Sequence, residues 1–177
     1  MKNNKHILTN CKDCEHKISG KSIFCCLGLD ELGTISDNKR NMSFKKGQTI
    51  FSEGNQPHGI YCINKGKVKI HKLGEEGKEQ IVRLAGNASL IGYRAIFSED
   101  CYFASATAIE ETNACYIPKS VIVDFIRTNS TFSFAMMDLL SDDLKRAEEK
   151  ITHMAQKYVR ERIAEAILLL KEAYGVK

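Results

Sequence analysis

The chain has 177 residues, of which 43% are apolar and 27% charged, and this composition is typical of a globular protein with one domain or one domain and an appendage. The longest aliphatic run, Ala166–Leu170, is far shorter than the ~20 apolar residues of a membrane span. No apolar stretch follows the basic N-terminus, which excludes a secretory signal. We therefore expect a cytoplasmic protein without a membrane partner. The net charge of +4 is too small to indicate nucleic-acid binding by itself.

The first two segments of the chain differ in composition. Residues 1–28 form a polar N-terminal arm that carries four of the seven cysteines. Residues 29–40 are predicted to form a short helix, because Leu29, Leu32 and Ile35 lie at helical spacing. This helix opens a sensor domain over residues 29–128.

Short runs rich in β-branched and aromatic residues recur through residues 43–117. Glycine-containing turns such as Lys46-Gly47 and Asn64-Lys65-Gly66 separate them. Evenly spaced short strands with such turns predict an all-β sandwich or barrel. The fold class is therefore mainly β, with helices at the C-terminal end.

The hydrophobic period changes after Pro118. A short amphipathic helix is followed by Asn129-Ser130-Thr131, which favours the start of a long helix over residues 129–158. Its apolar residues step by four and three along a narrow stripe with charged flanks: Leu140, Leu144, Ala147, Ile151, Met154 and Tyr158. This heptad pattern favours a homodimer seam over the alternative of a helix packed on its own β core. A second apolar stretch lies within residues 159–177.

Several segments, taken in order, resemble the Crp/Fnr family of bacterial transcription regulators: Lys45–Phe51, Tyr61–Lys69, Gly77–Ile81, Leu90–Gly92 and Val159–Ala164. The resemblance implies a cyclic-nucleotide-binding-like double-stranded β-helix, or jelly roll, followed by a dimerisation helix. It also implies that residues 159–177 are the start of a truncated DNA-binding domain. DNA would be bound only through a C-terminal domain missing from this chain, and RNA polymerase is a further partner implied by the family.

The effector pocket of the cyclic-AMP-binding family members contains a Gly-Glu-Leu run and an Arg-Ser pair. This chain has Gly92-Tyr93-Arg94 and Tyr102-Phe103 at the corresponding places. A buried phosphate without a paired cation is costly, so we expect no cyclic AMP binding. One alternative function is an effector domain that binds another small molecule at these five residues.

The cysteines indicate a metal or redox site. Cys11 and Cys14 form a CxxC pair, which Cys25 and Cys26 follow. Zinc bound with His16 or His6, a dithiol switch and an unliganded arm are the alternatives that the residues alone leave open. Cys62 is predicted to be a core residue and Cys101 to be incidental.

The segment around Cys115, which precedes Ile117-Pro118, resembles the Fnr-type oxygen regulators. That resemblance implies a [4Fe–4S] cluster held by Cys11, Cys14, one of Cys25 or Cys26, and Cys115. The predicted function is accordingly the oxygen- or redox-responsive sensor of a transcription regulator. We expect no enzymatic activity, since no catalytic constellation is found in the sequence.

Overall fold

A computed structural model describes residues 10–174, apart from residues 21, 75 and 99. The strands are β1 (Arg40–Phe44), β2 (Thr49–Phe51), β3 (Gly59–Lys65), β4 (Val68–Leu73), β5 (Glu79–Ala85), β6 (Leu90–Ile91), β7 (Ser105–Ala108) and β8 (Thr112–Pro118). The helices are α1 (Glu15–Ile18), α2 (Leu29–Asn38), α3 (Arg94–Phe97), α4 (Lys119–Thr128), α5 (Ser130–Gln156) and α6 (Val159–Tyr174). Two 3₁₀ turns, Cys11–Asp13 and Ile23–Cys26, lie in the N-terminal arm.

The strands form two four-stranded antiparallel sheets, in the orders β1-β8-β3-β6 and β2-β7-β4-β5. Apolar side chains from both sheets make the core between them, including Phe51, Ile63, Val68 and Ala106. Side chains alternate along a strand, so every second residue of the first sheet points away from this core. The predicted fold class, a jelly roll followed by helices, is confirmed.

The turn between β3 and β4 requires a glycine at position 66. Gly66 has a φ of +117°, and a Cβ atom at this position would lie 2.5 Å from Oγ1 of Thr112. Only glycine combines that backbone angle with so close an approach of another chain segment. The turn thereby fixes where β3 lies relative to β8, the two inner strands of the first sheet.

Helices α2 and α4 cover the outer face of the first sheet. At the start of helix α2, the Gly28 N–H donates to Oε2 of Glu31 at 2.8 Å. Its Leu32 and Ile35 are fully buried, as is Ile122 of α4. Contacts of α2 with β8, and of α4 with β3 and β8, place both helices on the face opposite the core.

The chain divides near Ser133 into two compact units. The first holds the jelly roll, the N-terminal arm and helices α2 to α4. The second holds most of α5 and the whole of α6. Within the described part of the chain, no helix is both long enough and apolar enough to cross a bilayer.

Candidate functional site

Two of the cysteines face each other across the inner strands of the first sheet. Cys62 of β3 is the direct antiparallel partner of Cys115 of β8, and Asn41 of β1 is the partner of Cys115 on the other side. Directly opposed residues project from the same face of a sheet, with Cβ atoms ~4.5–5.5 Å apart. Ile60 and Ile117 lie two residues away on the same face, which is the one covered by helices.

The Cys115 thiol has a polar environment. It donates to Oδ1 of Asn41 at 3.4 Å, and the Lys39 ammonium lies 3.9 Å from its sulfur. Burial raises the pKa of Cys115, the Lys39 ammonium opposes that shift, and the thiolates of Cys11 and Cys14 add to it. The CxxC pair is therefore close enough to Cys115 for their charges to interact.

Two hydrogen bonds fasten the CxxC segment to the rest of the first unit. The Cys11 N–H donates to Oγ of Ser36 in α2 at 2.9 Å. On the other side, Nε2 of His16 donates to the carbonyl oxygen of Asn64 at the end of β3, at 2.6 Å. Cys14 occupies the N-cap position of α1 between these two anchors. The segment is thus held between α2 and the strand that carries Cys62.

Cys25 and Cys26 have different surroundings. The Cys25 thiol donates to the carbonyl oxygen of Lys17 at 3.2 Å, and the Cys26 thiol donates to that of Ile23 at 3.2 Å. Burial raises the pKa of Cys26, and the negative charges of Cys25 and Glu31 act in the same direction. This pair thus lies near the start of α2, whereas the charges of Cys11 and Cys14 act on the pKa values of Cys62 and Cys115.

The donor set fits an iron–sulfur cluster in its chemistry. All seven cysteines are free thiols, and four thiolates are what a [4Fe–4S] cluster requires. Among the described residues, no three Cys, His, Asp or Glu side chains lie close enough to hold one metal ion. A shared metal site therefore requires the fastened CxxC segment and the strand cysteines to approach each other further. His6, the alternative zinc ligand, lies outside the described residues.

The predicted effector-pocket residues differ in exposure. Tyr93 and Tyr102 are buried, whereas Arg94 is exposed and Phe103 is 55% exposed. The Tyr102 ring stacks on Phe51 with 4.1 Å between centroids, and its hydroxyl donates to the carbonyl oxygen of Gly59. These contacts fix Tyr102 as part of the core.

Gly92 and Tyr93 complete this region. Gly92 has a φ of +81° and packs against the Tyr102 ring. The Tyr93 hydroxyl accepts a hydrogen bond from Arg83 of β5 at 3.2 Å, and the same guanidinium donates to the carbonyl oxygen of Leu90 at 2.7 Å.

An open groove of about 490 Å³ lies beside Tyr102. Its walls include the rings of Tyr61 and Tyr116, which lie 5.2 Å apart between centroids, together with Arg40 and His58. Tyr102 is the one residue that this groove shares with the predicted effector pocket.

The predicted dimer seam lies on α5 and at the residues that follow it. The side chains of Leu144, Ile151, Met154 and Tyr158 are 62%, 68%, 57% and 82% exposed. Ala147 is exposed and Leu140 is half-buried. Met137 is 60% exposed and lies one step of three residues before Leu140. Met137 extends the same stripe, and the spacing of three and four residues in the sequence could have identified it as a seam residue.

Comparison with known proteins identifies the family. The model of the cyclic nucleotide-binding domain matches residues 41–129, half of the chain. The fumarate and nitrate reduction regulatory protein of Escherichia coli K12 is 30% identical over 169 residues, which are 94% of this chain and 66% of that protein. The chain belongs to the Crp/Fnr family. It spans slightly less than two thirds of the length of this relative.

A second relative has a related name. The anaerobic regulatory protein of Pasteurella multocida is 28% identical over 171 residues, 95% of this chain and 61% of that protein. Both relatives are named as regulatory proteins.

Solved structures show the same fold. A transcriptional regulator of the Crp/Fnr family from Eubacterium rectale has a TM-score of 0.75 at 17% identity, over 86% of this chain and 72% of that one. The sensor domain of the regulator DNR from Pseudomonas aeruginosa has a TM-score of 0.68 at 19% identity, over 84% of this chain and 98% of that domain.

Proposed function

We propose that the chain is the sensor and dimerisation portion of a DNA-binding transcription regulator, and that it responds to oxygen or redox state through a cysteine-ligated [4Fe–4S] cluster. The observation that carries this proposal is the position of the CxxC segment, fastened beside β3 close enough for its thiolates to act on Cys115. The names of the relatives, which refer to anaerobic regulation and to fumarate and nitrate reduction, support it.

Cys11, Cys14, one of Cys25 or Cys26, and Cys115 would hold the cluster in this proposal. The cluster supplies the oxygen-sensitive chemistry, as in the Fnr-type regulators that the chain resembles. The Lys39 ammonium, 3.9 Å from the Cys115 sulfur, offsets part of the negative charge that the thiolates bring together. The two anchors at Ser36 and Asn64 keep the CxxC segment beside the strands and limit the entropy lost on binding.

Helix α2 connects this site to the start of α5. Ser36 of α2 anchors Cys11, and Glu31 of the same helix accepts a hydrogen bond from Nδ2 of Asn129 at 2.6 Å. Asn129 in turn caps α5 by accepting from the Phe132 N–H at 2.9 Å. We propose that cluster binding stabilises this arrangement and thereby biases the packing of α5.

The exposed stripe on α5 supports a homodimer as the functional form. Leu144 and Ile151 are each more than half exposed, and a heptad stripe of this kind is buried by a second helix. DNA binding and contact with RNA polymerase belong to the proposed whole regulator, which would act in the cytoplasm.

Anaerobic purification tests the proposal. We expect a brown protein that bleaches in air, and we expect Cys115→Ser to prevent cluster assembly because it removes a ligand. Cys101→Ser is the matched control, since Cys101 lies in the loop before β7 and hydrogen-bonds to Gln56. If Cys115→Ser keeps full iron and full air sensitivity, the proposal is wrong. Zinc in place of iron, or no metal at all, in the unsubstituted chain would favour a zinc site or thiol switch confined to the arm.

The groove beside Tyr102 supports a second candidate function, the binding of a small molecule other than cyclic AMP. Its aromatic walls, with Arg40 and His58 among the lining residues, suit a planar anionic ligand. Anaerobic protein without iron, but with a bound organic compound after extraction, would favour this function.

A further inference from the structure

Cys62 lies in a different place from the one expected of a core residue. It is half-buried and projects from the helix-covered face of the first sheet, away from the core between the sheets. Its direct cross-strand partner is Cys115, and both belong to the inner strands of that sheet. An inner strand is held by ladder hydrogen bonds on both sides, so the two thiols stay neighbours as long as the sheet is intact.

The hydrogen-bond pattern of β3 defines the geometry of this pair. The Ile63 N–H donates to the carbonyl oxygen of Ser89 on the β6 side, at 2.9 Å. Because the bonding direction alternates along a strand, the preceding residue, Cys62, bonds towards β8 and forms a hydrogen-bonded pair with Cys115. The Cα atoms of such a pair are about 5.5 Å apart, within the range of ~4.4–6.8 Å that disulfides span. The backbone therefore already has the spacing of a cross-strand disulfide.

The surroundings of the two thiols allow them to react with each other. Both are free and half-buried. The Cys115 thiol donates to Oδ1 of Asn41 at 3.4 Å, a weak contact that a rotation about its Cα–Cβ bond breaks. Burial raises the pKa of both thiols, so we expect them to be oxidised more slowly than an exposed cysteine.

We infer that Cys62 and Cys115 are a redox modification site, at which hydrogen peroxide joins the two sulfurs in a cross-strand disulfide. The Cys115 thiolate attacks one oxygen of the peroxide, the O–O bond breaks, and a sulfenic acid and hydroxide form. The Cys62 sulfur then attacks the sulfenic sulfur, the S–O bond breaks, and water leaves. In total, two thiols and one peroxide give one disulfide and two molecules of water.

This disulfide goes beyond the proposed function, because it forms without a cluster. A Cys115 sulfur that is bonded to Cys62 is no longer a thiolate, and only a thiolate binds a metal. Oxidation therefore withholds Cys115 from any metal until a thiol reductant opens the bond by exchange. Disulfides of this transient, sensing kind are the usual ones in reducing compartments.

Peptide mapping of the metal-free protein tests the inference. Trypsin, which cuts after lysine and arginine, places Cys62 in the peptide Gly47–Lys65 and Cys115 in the peptide Ala95–Lys119. The second peptide also contains Cys101, so the test uses the full chain with Cys101→Ser. The folded protein is treated with hydrogen peroxide, its remaining thiols are alkylated with iodoacetamide, and it is digested without reduction. We expect the two peptides to be joined, with a mass two hydrogens below the sum of their thiol forms.

Three controls define the result. Dithiothreitol should separate the joined peptides, and adding Cys62→Ser to the test protein should abolish them. Protein that is unfolded in urea before oxidation should lose most of the joined product, because its thiols pair at random. The inference is wrong if the folded protein gives the two peptides separately, whether alkylated, over-oxidised or joined to a cysteine of the arm. It is also wrong if unfolded protein gives as much joined product as folded protein. The test needs no iron, so its outcome is independent of the proposed function.

Discussion

The exposed stripe on α5 allows a quantitative prediction about dimerisation. Replacing Leu144 and Ile151 with glutamate removes two apolar side chains from the proposed seam and places charges there instead. We expect a monomer whose jelly roll is intact, because neither residue belongs to the first compact unit.

The size of the effect follows from the exposure of the two side chains. Leu144 is 62% and Ile151 is 68% exposed, so about two thirds of each is available for burial. Full burial of such a side chain contributes ~1.5–3 kcal/mol, and two thirds of that is ~1–2 kcal/mol. Four such side chains in a dimer sum to ~4–8 kcal/mol, which corresponds to a dissociation constant raised by ~10³–10⁶-fold.

Sedimentation velocity at several concentrations measures this change, and circular dichroism checks the strands. The matched control carries Lys145→Glu and Thr152→Glu, which place glutamate one residue further along, on the outer side of the heptad stripe. We expect the control to dimerise like the unsubstituted chain. If the Leu144 and Ile151 double variant remains dimeric, the seam lies elsewhere and the interpretation of this stripe is wrong.

Three further predictions concern the jelly roll and helix α2. Cyclic AMP should not bind, since Tyr102 and Phe103 replace the phosphate-binding pair and a lost charge-assisted contact costs ~1.5–3 kcal/mol; a micromolar dissociation constant in calorimetry contradicts this. Gly66→Ala should lower the free energy of unfolding by ~2–5 kcal/mol in denaturant titrations, because strain at its φ of +117° adds to the clash with Thr112. Gly47→Ala, whose Cβ meets nothing within 4 Å, should cost only ~1–2 kcal/mol, and equal losses would refute the steric argument. Two hydrogen bonds hold the pKa of Glu31 below its usual value: the stronger effect comes from Asn129 and the weaker from the Gly28 N–H. That carboxylate therefore stabilises the fold above the ordinary carboxyl pKa of ~4.3, and the stabilisation is lost as pH falls through the lowered pKa. Thermal unfolding of Glu31→Gln should accordingly show a lower midpoint than the unsubstituted chain at pH 7 and the same midpoint in strong acid, whereas a constant difference contradicts the prediction.

Local signals were sufficient to predict an all-β sandwich or barrel with C-terminal helices, and the resemblance to the Crp/Fnr family supplied the jelly roll. Glycine turns such as that at Gly66 separate the strands, and the spacing of Leu32 and Ile35 marks the buried face of α2. The observed boundaries differ slightly: the strands run from Arg40 to Pro118 instead of 43–117. Strand ends are set by pairing with a partner strand, which local pattern does not contain.

The candidate site was predictable only in part. The CxxC spacing and the resemblance around Cys115 indicated Cys11, Cys14 and Cys115, and the charges of the first two act on the pKa of the third. Cys62 and Lys39 were missed as neighbours of Cys115, because their proximity to it depends on the register of β3 with β8 and on where α2 ends. Such long-range pairing is not visible in the residues around Cys62, where the alternation of apolar side chains suggested only a strand.

The central claim is that this chain holds an iron–sulfur cluster on its thiols. The most direct measurement is the number of iron, inorganic sulfide and zinc atoms per chain in protein purified without oxygen. A [4Fe–4S] cluster predicts four iron and four sulfide atoms per chain, with no stoichiometric zinc. One zinc atom per chain without sulfide, or no metal at all, would contradict the account.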